Sequence, residues 1–252
     1  MTLILPPEAF ELEILEWDTR VLGLRTGRLH DGQGNDGHGS GKPLLEGLQQ
    51  SGLEYVTIRR PQSDWSVIHR LESAGFHILD GIIEFAHKPE QVKSSAVKVP
   101  YSFREAKKED AERVARFAET AFSLSRFHND PLLKTAQANR VFYEWTKNCC
   151  LGVVAKSVWI CENEGAVVGF STCKVSGQDG IIDLIGVGSG HSGRGLGAGL
   201  MEKASAWFAA HGVKRVRIQT QTNNLGAIRL YTKLGFEPIL ASVTLRWAPG
   251  GA

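Results

Sequence analysis

The stretch that decides the fold of this chain is a run rich in glycine, which reads Gly188-Ser189-Gly190-His191-Ser192-Gly193-Arg194-Gly195-Leu196-Gly197-Ala198-Gly199-Leu200. An apolar run, Ile181 to Val187, precedes it and predicts a strand, and a helical pattern begins near Gly197. A strand that opens through glycines into a helix leaves backbone N–H groups unpaired, where the helix dipole also favours an anion. Glycine lets a ligand approach the backbone, and Arg194 adds a positive charge. The stretch therefore predicts a phosphate site, although a flexible glycine connector would have the same composition.

The length and composition are those of an ordinary globular protein. The chain has 252 residues, of which 42% are hydrophobic and 22% charged, enough for one large domain or two small ones. A formal net charge of +2 is too small to indicate nucleic acid as a partner. The four cysteines lack metal-ligand spacing, and no apolar run approaches the roughly 20 residues that span a bilayer. Because Met1 to Pro7 also lack a basic flank, we expect no signal peptide and a reduced, cytoplasmic protein without a metal.

Strands and helices alternate along both halves of the sequence, which predicts an α/β (α+β) fold. Residues 89–100 are polar and bounded by prolines, as in a linker. The predicted organisation is an N-terminal domain over residues 1–88, this linker, and a second domain over residues 101–252.

The two halves of the sequence align without gaps when each residue of the first half is paired with the residue 160 positions later. We call this the repeat alignment. In this alignment three segments coincide with related segments of the second half: Gly52 with Gly212, Val56-Thr57-Ile58 with Val216-Arg217-Ile218, and Gly75-Phe76 with Gly235-Phe236. Such matches through a strand, a helix and a turn predict two copies of one fold, unless common Gly-Phe turns coincide by chance. Leu71 stands in the place of Tyr231, and Asp31–Gly41 stands in the place of the glycine loop without an arginine. The first copy is therefore predicted to be a scaffold or a site for a partner.

Three classes of glycine loop compete for the predicted phosphate site. A P-loop needs Gly-Lys followed by Ser or Thr, and this loop ends in Gly197-Ala198-Gly199-Leu200, which excludes that class. Gly193, Gly195 and Ala198 formally match the dinucleotide fingerprint. That class also needs an acidic residue at the end of the next strand to hold a ribose. The strand Lys214–Gln221 carries no Asp or Glu, which disfavours a dinucleotide as the ligand.

The third class is that of the GNAT acetyltransferases, which residues 181–236 resemble. The strand, the loop Gly193-Arg194-Gly195-Leu196-Gly197, the helix, the next strand and the segment Asn224–Phe236 resemble the two acetyl-CoA motifs of that superfamily in order. The Gln or Arg that usually opens the loop motif is Ser192 here, a small departure because backbone amides hold the pyrophosphate. The resemblance implies a mixed central sheet flanked by helices, a smaller degenerate GNAT-like N-terminal domain, and acetyl-CoA as cosubstrate.

Shorter segments resemble one subfamily of the GNAT enzymes. They are Leu15-Glu16-Trp17, Gly75–Gly81, Phe122–Phe127 and Phe142–Trp145. The subfamily acetylates the 4-amino group of nucleotide-linked 4-amino-4,6-dideoxygalactose for cell-surface polysaccharide. The resemblance implies such a nucleotide-linked sugar as acceptor. An aminoglycoside, a polyamine or a protein N-terminus remain alternative acceptors, and a non-catalytic acyl-CoA-binding module is a different class of function.

The resemblance also implies which residues bind the cofactor. Backbone groups of Ile185, Gly186 and Val187 would hold the pantetheine arm as an added strand would. The pyrophosphate would lie on the amides of the loop, namely Gly193, Arg194, Gly195, Leu196, Gly197 and Ala198. Asn224 would contact the cofactor, and it is also typical of a helix N-cap.

Catalytic and acceptor-binding residues follow from the same resemblance. By this resemblance Tyr231 stands at the superfamily's general-acid position. A phenol suits that role, because it is protonated at neutral pH and can donate to a leaving thiolate. The alternative is a partly buried packing residue. The resemblance does not fix the general base. Asp183, on the strand before the loop, is a candidate unless it faces solvent or pairs with a cation, and a water chain is the alternative. The acceptor pocket is expected at four residues: Ser123, Ser125, Arg126 and Phe127. Arg126 suits a sugar-nucleotide diphosphate, unless it is an exposed arginine at a helix end. A homodimer is also expected.

Overall fold

The computed structural model describes residues 2–5, 10–31, 42–92 and 101–250. Residues 32–41 of the predicted loop, residues 93–100 of the predicted linker, and part of the N-terminal segment lie outside the described residues. The strands are β1 (Thr2–Leu5), β2 (Phe10–Ile14), β3 (Thr26–Asp31), β4 (Tyr55–Pro61), β5 (His77–His87), β6 (Ser102–Glu105), β7 (Ser157–Asn163), β8 (Ala166–Ser176), β9 (Asp179–Ile182), β10 (Ile185–Val187), β11 (Arg215–Gln221) and β12 (Glu237–Trp247). The helices are α1 (Glu16–Leu22), α2 (Lys42–Gln50), α3 (Trp65–Ser73), α4 (Ala111–Ala121), α5 (Arg126–Asn129), α6 (Thr135–Cys150), α7 (Leu196–Ala210) and α8 (Leu225–Lys233).

The chain divides into two compact units that do not follow chain order. Unit 1 contains Met1–Ile82, Ser125–Ala138 and Ala241–Ala252, and unit 2 contains Ile83–Leu124 and Asn139–Leu240. Strands β5 and β12 therefore each have residues in both units. The predicted domain boundaries at residues 88 and 100 stay a prediction, because compactness and the extent of a repeated segment are different properties.

Unit 1 is a sheet covered by α2 and α3. Strands β1, β2 and β3 run antiparallel in succession, β3 is parallel to β4, and β4 pairs antiparallel with residues 242–247 of β12. Its core contains Leu12, Leu48, Ile68 and Leu71, each buried. These are the apolar residues that alternate along the strands and recur every three or four residues along the helices.

A buried polar group lies within the otherwise apolar unit 1. The hydroxyl of Tyr55 donates to the carboxylate of Asp130 at 2.8 Å, and a guanidinium nitrogen of Arg246 lies 3.4 Å from the same carboxylate. All three side chains are almost completely buried. A buried carboxylate is tolerated there because it is paired with both a donor and a cation.

Unit 2 is built on a mixed sheet. Strands β6, β7, β8 and β9 run antiparallel in succession, β11 is parallel to β9, and β10 pairs antiparallel with β8. The main core cluster joins the sheet to α7 and α8 through buried residues such as Ile182, Met201, Phe208 and Ile218. This is the mixed sheet flanked by helices that the resemblance implied.

The internal repeat predicted from the sequence recurs in the element bounds. In the repeat alignment β4 coincides with β11, α3 with α8, and β5 with β12, in each case at both ends. The glycines of the repeat share a left-handed backbone, with φ of +84° at Gly75 and +92° at Gly235. Only glycine adopts that conformation without strain, so the same residue recurs for the same reason.

Candidate functional site

The predicted strand Ile181–Val187 is two strands, because one extra residue interrupts its pairing with β8. The pairs on either side of the break are Ile181 with Lys174 and Ile185 with Ser171. Asp183 and Leu184 together face Thr172, the arrangement of a β-bulge. The N–H of Leu184 donates to the Thr172 hydroxyl at 3.1 Å, and the N–H of Thr172 donates to the Leu184 carbonyl at 2.9 Å. The bulge therefore separates β9 from β10.

Strand β10 presents an edge with backbone groups that do not point towards β8. Strand β11 pairs with β9 along residues 215–218, whereas β10 pairs with β8. The carbonyl of Leu184 and the N–H of Gly188 both bond to β8. Because backbone groups alternate in direction along an antiparallel strand, those of Ile185 and Val187 point away from β8. An extended ligand could pair with them as an added strand does.

The glycine loop leads directly into the N-terminus of α7. Gly195, at φ +82°, precedes the helix and offers no capping side chain. The N–H of Gly199 makes the first bond of the helix, to the carbonyl of Gly195 at 3.0 Å. The preceding amides of Leu196, Gly197 and Ala198 belong to the first turn, whose N–H groups have no partner within the helix. These donors and the helix dipole suit an anion.

A tyrosine outside the loop holds its arginine. Nη1 of Arg194 donates to the hydroxyl of Tyr101 at 3.0 Å, and that hydroxyl lies 3.1 Å from Nδ1 of His191. The Tyr101 and His191 rings also meet edge to face, with centroids 5.7 Å apart. The exposed guanidinium, which follows the left-handed Gly193, is thus fixed beside the start of α7. Nothing in the sequence indicated Tyr101, because it lies far before Arg194 along the chain.

Asn224 is the N-cap of α8, one of its two predicted roles. Its side-chain oxygen accepts from the N–H of Ala227 at 3.2 Å, and its side-chain nitrogen donates to the hydroxyl of Thr220 at 3.0 Å. The cap joins the end of β11 to the first turn of α8. The contact of Asn224 with a cofactor stays a prediction.

Tyr231 lies in the last turns of α8 and is 2% exposed. It belongs to the same apolar cluster as Ile182 and Ala198, against which the half-buried Ile185 also packs. The structure thus brings the predicted acid into one cluster with parts of β9, β10 and α7. Burial raises the pKa of the phenol, so it remains protonated at neutral pH. Its role as general acid stays a prediction.

Asp183, the candidate base, lies in the bulge between β9 and β10. Burial raises the pKa of its carboxyl, and the nearby Lys174 lowers it in part. The charge of Asp183 in turn contributes to the raised pKa of the Cys149 thiol, after burial itself. A carboxylate with a raised pKa accepts a proton more readily, which is favourable for a base. The role of Asp183 or a water chain as the base stays a prediction.

The four predicted acceptor residues lie in different units. Ser123 is exposed in unit 2, whereas Ser125, Arg126 and Phe127 belong to unit 1. Ser125 is buried and caps α5, and its hydroxyl lies 2.8 Å from Nδ1 of His128. The guanidinium of Arg126 lies over the ring of the buried Phe127 at 4.6 Å. Three of the four side chains, those of Ser125, Arg126 and Phe127, thus have structural partners within unit 1. The acceptor-binding role of all four stays a prediction.

Among the described residues, no group of three or more His, Cys, Asp or Glu side chains is arranged to hold a metal ion. Helices long and apolar enough to cross a membrane are likewise absent from the described part of the chain.

The segment that contains both the glycine loop and Tyr231 matches a known protein family. Residues 118–236 match the acetyltransferase (GNAT) family. The spore coat polysaccharide biosynthesis protein SpsD of Bacillus subtilis is 27% identical over 75% of this chain, and the match spans 64% of that protein. The dTDP-fucosamine acetyltransferase of Escherichia coli is 25% identical over 91% of this chain and 94% of its own length.

A solved structure shows the same fold across nearly the whole chain. The GCN5-related N-acetyltransferase from Sphaerobacter thermophilus superposes with a TM-score of 0.68 over 95% of this chain and 76% of its own, at 17% identity. Residues 118–236 of the chain therefore form an acetyltransferase domain of the GNAT family.

Proposed function

We propose that the protein transfers the acetyl group of acetyl-CoA to the amino group of a nucleotide-linked aminodeoxysugar, such as dTDP-4-amino-4,6-dideoxygalactose. The observation that carries this proposal is the similarity to a dTDP-fucosamine acetyltransferase over 91% of the chain, which includes both repeats. A second relative bears the name of a polysaccharide biosynthesis protein. The proposal includes a place in the cytoplasm, where acetyl-CoA and nucleotide sugars are found, and a homodimer.

The residues at the site fit acetyl-CoA. The outward backbone groups of Ile185 and Val187 suit the amides of a pantetheine arm. The amides at the start of α7, from Leu196 to Ala198, and the guanidinium of Arg194 suit a pyrophosphate. When bound, acetyl-CoA supplies an activated acetyl thioester.

The proposed mechanism is direct attack by a neutral amine. The new C–N bond forms as the C–S bond breaks, so the amine loses one proton and the leaving sulfur gains one. Tyr231, a phenol that is protonated at neutral pH, donates the proton to sulfur. Asp183 or a water chain accepts the proton of the amine.

The test of the acid is Tyr231→Phe. This change removes one oxygen atom from a buried ring and leaves the packing of the cluster in place. We expect kcat to fall by about 100-fold, within the usual range for a general acid, while the affinity for CoA is retained. Calorimetric titration with CoA provides the control for folding. Turnover at the wild-type rate would refute the assignment of Tyr231 as the acid.

The test of the acceptor is a screen of nucleotide-linked amino sugars. dTDP- and UDP-linked 4-amino sugars are incubated with acetyl-CoA, and release of the free thiol is followed. We expect release with at least one of them, and little with an aminoglycoside, a polyamine or a peptide N-terminus. Release with one of those three alone would identify a different acceptor. CoA binding without release from any acceptor would indicate a non-catalytic binding module.

A further inference from the structure

Each unit contains the last part of the final strand of the other repeat. Strand β5 ends the first repeat, yet residues 83–87 belong to unit 2, and β12 ends the second repeat, yet residues 241–247 belong to unit 1. The exchange is reciprocal, because β5 and β12 coincide in the repeat alignment. The core of the catalytic unit is therefore completed by residues that the repeat pattern assigns to the non-catalytic copy.

The exchanged residues occupy equivalent places in the two cores. Phe85 lies in the same buried cluster as Tyr231, and Leu245 lies in the same buried cluster as Leu71. In the repeat alignment Phe85 corresponds to Leu245 and Tyr231 corresponds to Leu71. The catalytic unit thus has an aromatic pair where unit 1 has two leucines, although both places are filled by an exchanged strand.

Phe85 contacts the phenol ring of Tyr231 directly. The ring centroids are 5.7 Å apart and the planes meet at 73°, an edge-to-face arrangement. Both side chains are 2% exposed. Edge-to-face contact between aromatic rings depends on their mutual angle, so it restricts the plane of the phenol as well as filling space. The hydroxyl oxygen lies on the axis about which the ring turns, but the O–H bond prefers the plane of the ring. The ring plane therefore limits the directions in which the phenol can donate its proton.

The end of β5 is held on its opposite face as well. Neighbouring residues on a strand point to opposite faces, so Glu84 points away from the cluster that contains Phe85. The buried carboxylate of Glu84 accepts from Nε of Arg217 and, at 3.1 Å, from the side chain of Gln219. Arg217 and Gln219 both lie on β11, the strand whose Ile218 packs in the cluster with Tyr231. The hydrogen bonds between Glu84 and β11 therefore also hold the adjacent residue, Phe85, in place.

We propose that Phe85 is a positioning residue for Tyr231, supplied to the active unit by the strand of the first repeat. The inference rests on the proposed function, in which Tyr231 is the acid. Phe85 would keep the phenol in the plane from which it donates its proton to sulfur. This gives the non-catalytic repeat a part in the reaction, apart from any ligand of its own.

The experiment compares Phe85→Leu with Phe76→Leu in the full chain. Both replace a buried phenylalanine by the same smaller side chain, but Phe76 lies in the core of unit 1. Leucine is also the residue at the equivalent place of Phe85, Leu245. With dTDP-4-amino-4,6-dideoxygalactose as acceptor, we expect Phe85→Leu to lower kcat by about 10-fold, with KM for acetyl-CoA little changed. Phe76→Leu should leave kcat near the wild-type value, measured where both variants are folded.

A double variant separates positioning from general loss of packing. If Phe85 acts through the phenol, Phe85→Leu should lower kcat little further in a chain that already carries Tyr231→Phe. An equal loss of kcat in both backgrounds would overturn the proposal. So would a Phe85→Leu enzyme with wild-type kcat. Phe85→Met, whose flexible unbranched side chain adapts better to an irregular gap, replaces Phe85→Leu if that variant does not fold.

A spectroscopic measurement keeps the inference separate from the proposed function. The chain has four tyrosines, so the ring-carbon NMR signal of Tyr231 can be assigned from its loss in Tyr231→Phe. We expect Phe85→Leu to shift that signal and Phe76→Leu to leave it unchanged. An unshifted signal would overturn the positioning role even if the enzyme is active. No turnover by the wild-type chain, together with a shifted signal, would refute the proposed acceptor and leave the contact intact.

Discussion

The contact between Tyr101 and Arg194 shows how one neutral side chain can hold a cation at the proposed anion site. Arg194 follows the left-handed Gly193, and its guanidinium is exposed, so local backbone structure alone leaves it many conformations. The hydrogen bond to the Tyr101 hydroxyl selects one of them without neutralising the charge. A carboxylate in the same place would have reduced the attraction for phosphate.

At this scale we predict the effect of Tyr101→Phe. The variant keeps the ring but loses the bond to Arg194, worth about 1 kcal/mol, so KM for acetyl-CoA should rise by roughly 3- to 10-fold with kcat unchanged. The control substrate is S-acetyl-pantetheine, which lacks the pyrophosphate and should be used equally well by both proteins. An equal loss with both substrates would indicate a general structural defect instead.

Among elements, β6, α4 and β7 are joined by a network of four charged side chains in unit 2. The carboxylate of Asp110 bonds Arg104 at 2.7 Å and Arg113 at 2.7 Å, and both arginines also bond Glu162. The hydrogen bond from Arg104 is the main reason that the pKa of Asp110 lies well below its ordinary value. The pKa of Glu162 is lowered by the same cause.

These shifts predict how stability depends on pH. A carboxyl group with a depressed pKa in the folded protein stabilises it above the unfolded pKa of about 4, and that contribution is lost as pH falls through the folded pKa. We expect Asp110→Asn to lower the stability at pH 7 by about 1–2 kcal/mol, a modest value because both arginines are more than a third exposed. The variant should also lose less stability than the wild type between pH 5 and about pH 3.

Thermal unfolding followed by circular dichroism at several pH values measures both effects. Glu112→Gln is the matched control, since Glu112 bonds Lys147 and Arg116 at the surface with 48% of its side chain exposed. We expect that variant to unfold almost as the wild type does. Equal unfolding curves for Asp110→Asn and the wild type at every pH would contradict the prediction.

For the whole molecule, the exchange of β5 and β12 decides what can fold alone. A chain cut to the predicted second domain, residues 101–252, lacks residues 83–87 and with them Phe85 and Glu84 of unit 2. We predict that this fragment does not fold to a native state, whereas the full chain unfolds in a single transition. Solubility, circular dichroism and calorimetry compare the two. A soluble fragment with cooperative unfolding and CoA affinity equal to that of the full chain would show that β5 is dispensable.

The repeat was accessible from the sequence because it depends on local rules. Glycines that need a left-handed backbone, such as Gly75 and Gly235, recur at the same spacing as the apolar residues of the strands. The match at both ends of three pairs of elements follows from that periodicity. The periodicity does not specify which unit contains the end of each final strand, because the apolar residues of β5 and β12 suit either core.

The bulge, in contrast, could not be predicted from the sequence. The run from Ile181 to Val187 is apolar throughout except for Asp183, which is compatible with one continuous strand. The extra residue exists only relative to β8, whose Thr172 faces both Asp183 and Leu184. The pairing of this run with β8 therefore determines where β10 begins and exposes a backbone edge.

The sequence by itself determined the glycine loop, the helix after it, the cap at Asn224, the family and the presence of two repeats. These depend on backbone preferences and spacings over a few residues, which the sequence carries directly. The tertiary structure alone decided the bulge before the loop, the hold of Tyr101 on Arg194 and the delivery of Phe85 to Tyr231. Each of these joins residues that lie far apart along the chain or depends on the register between strands, and no local pattern specifies such a pairing.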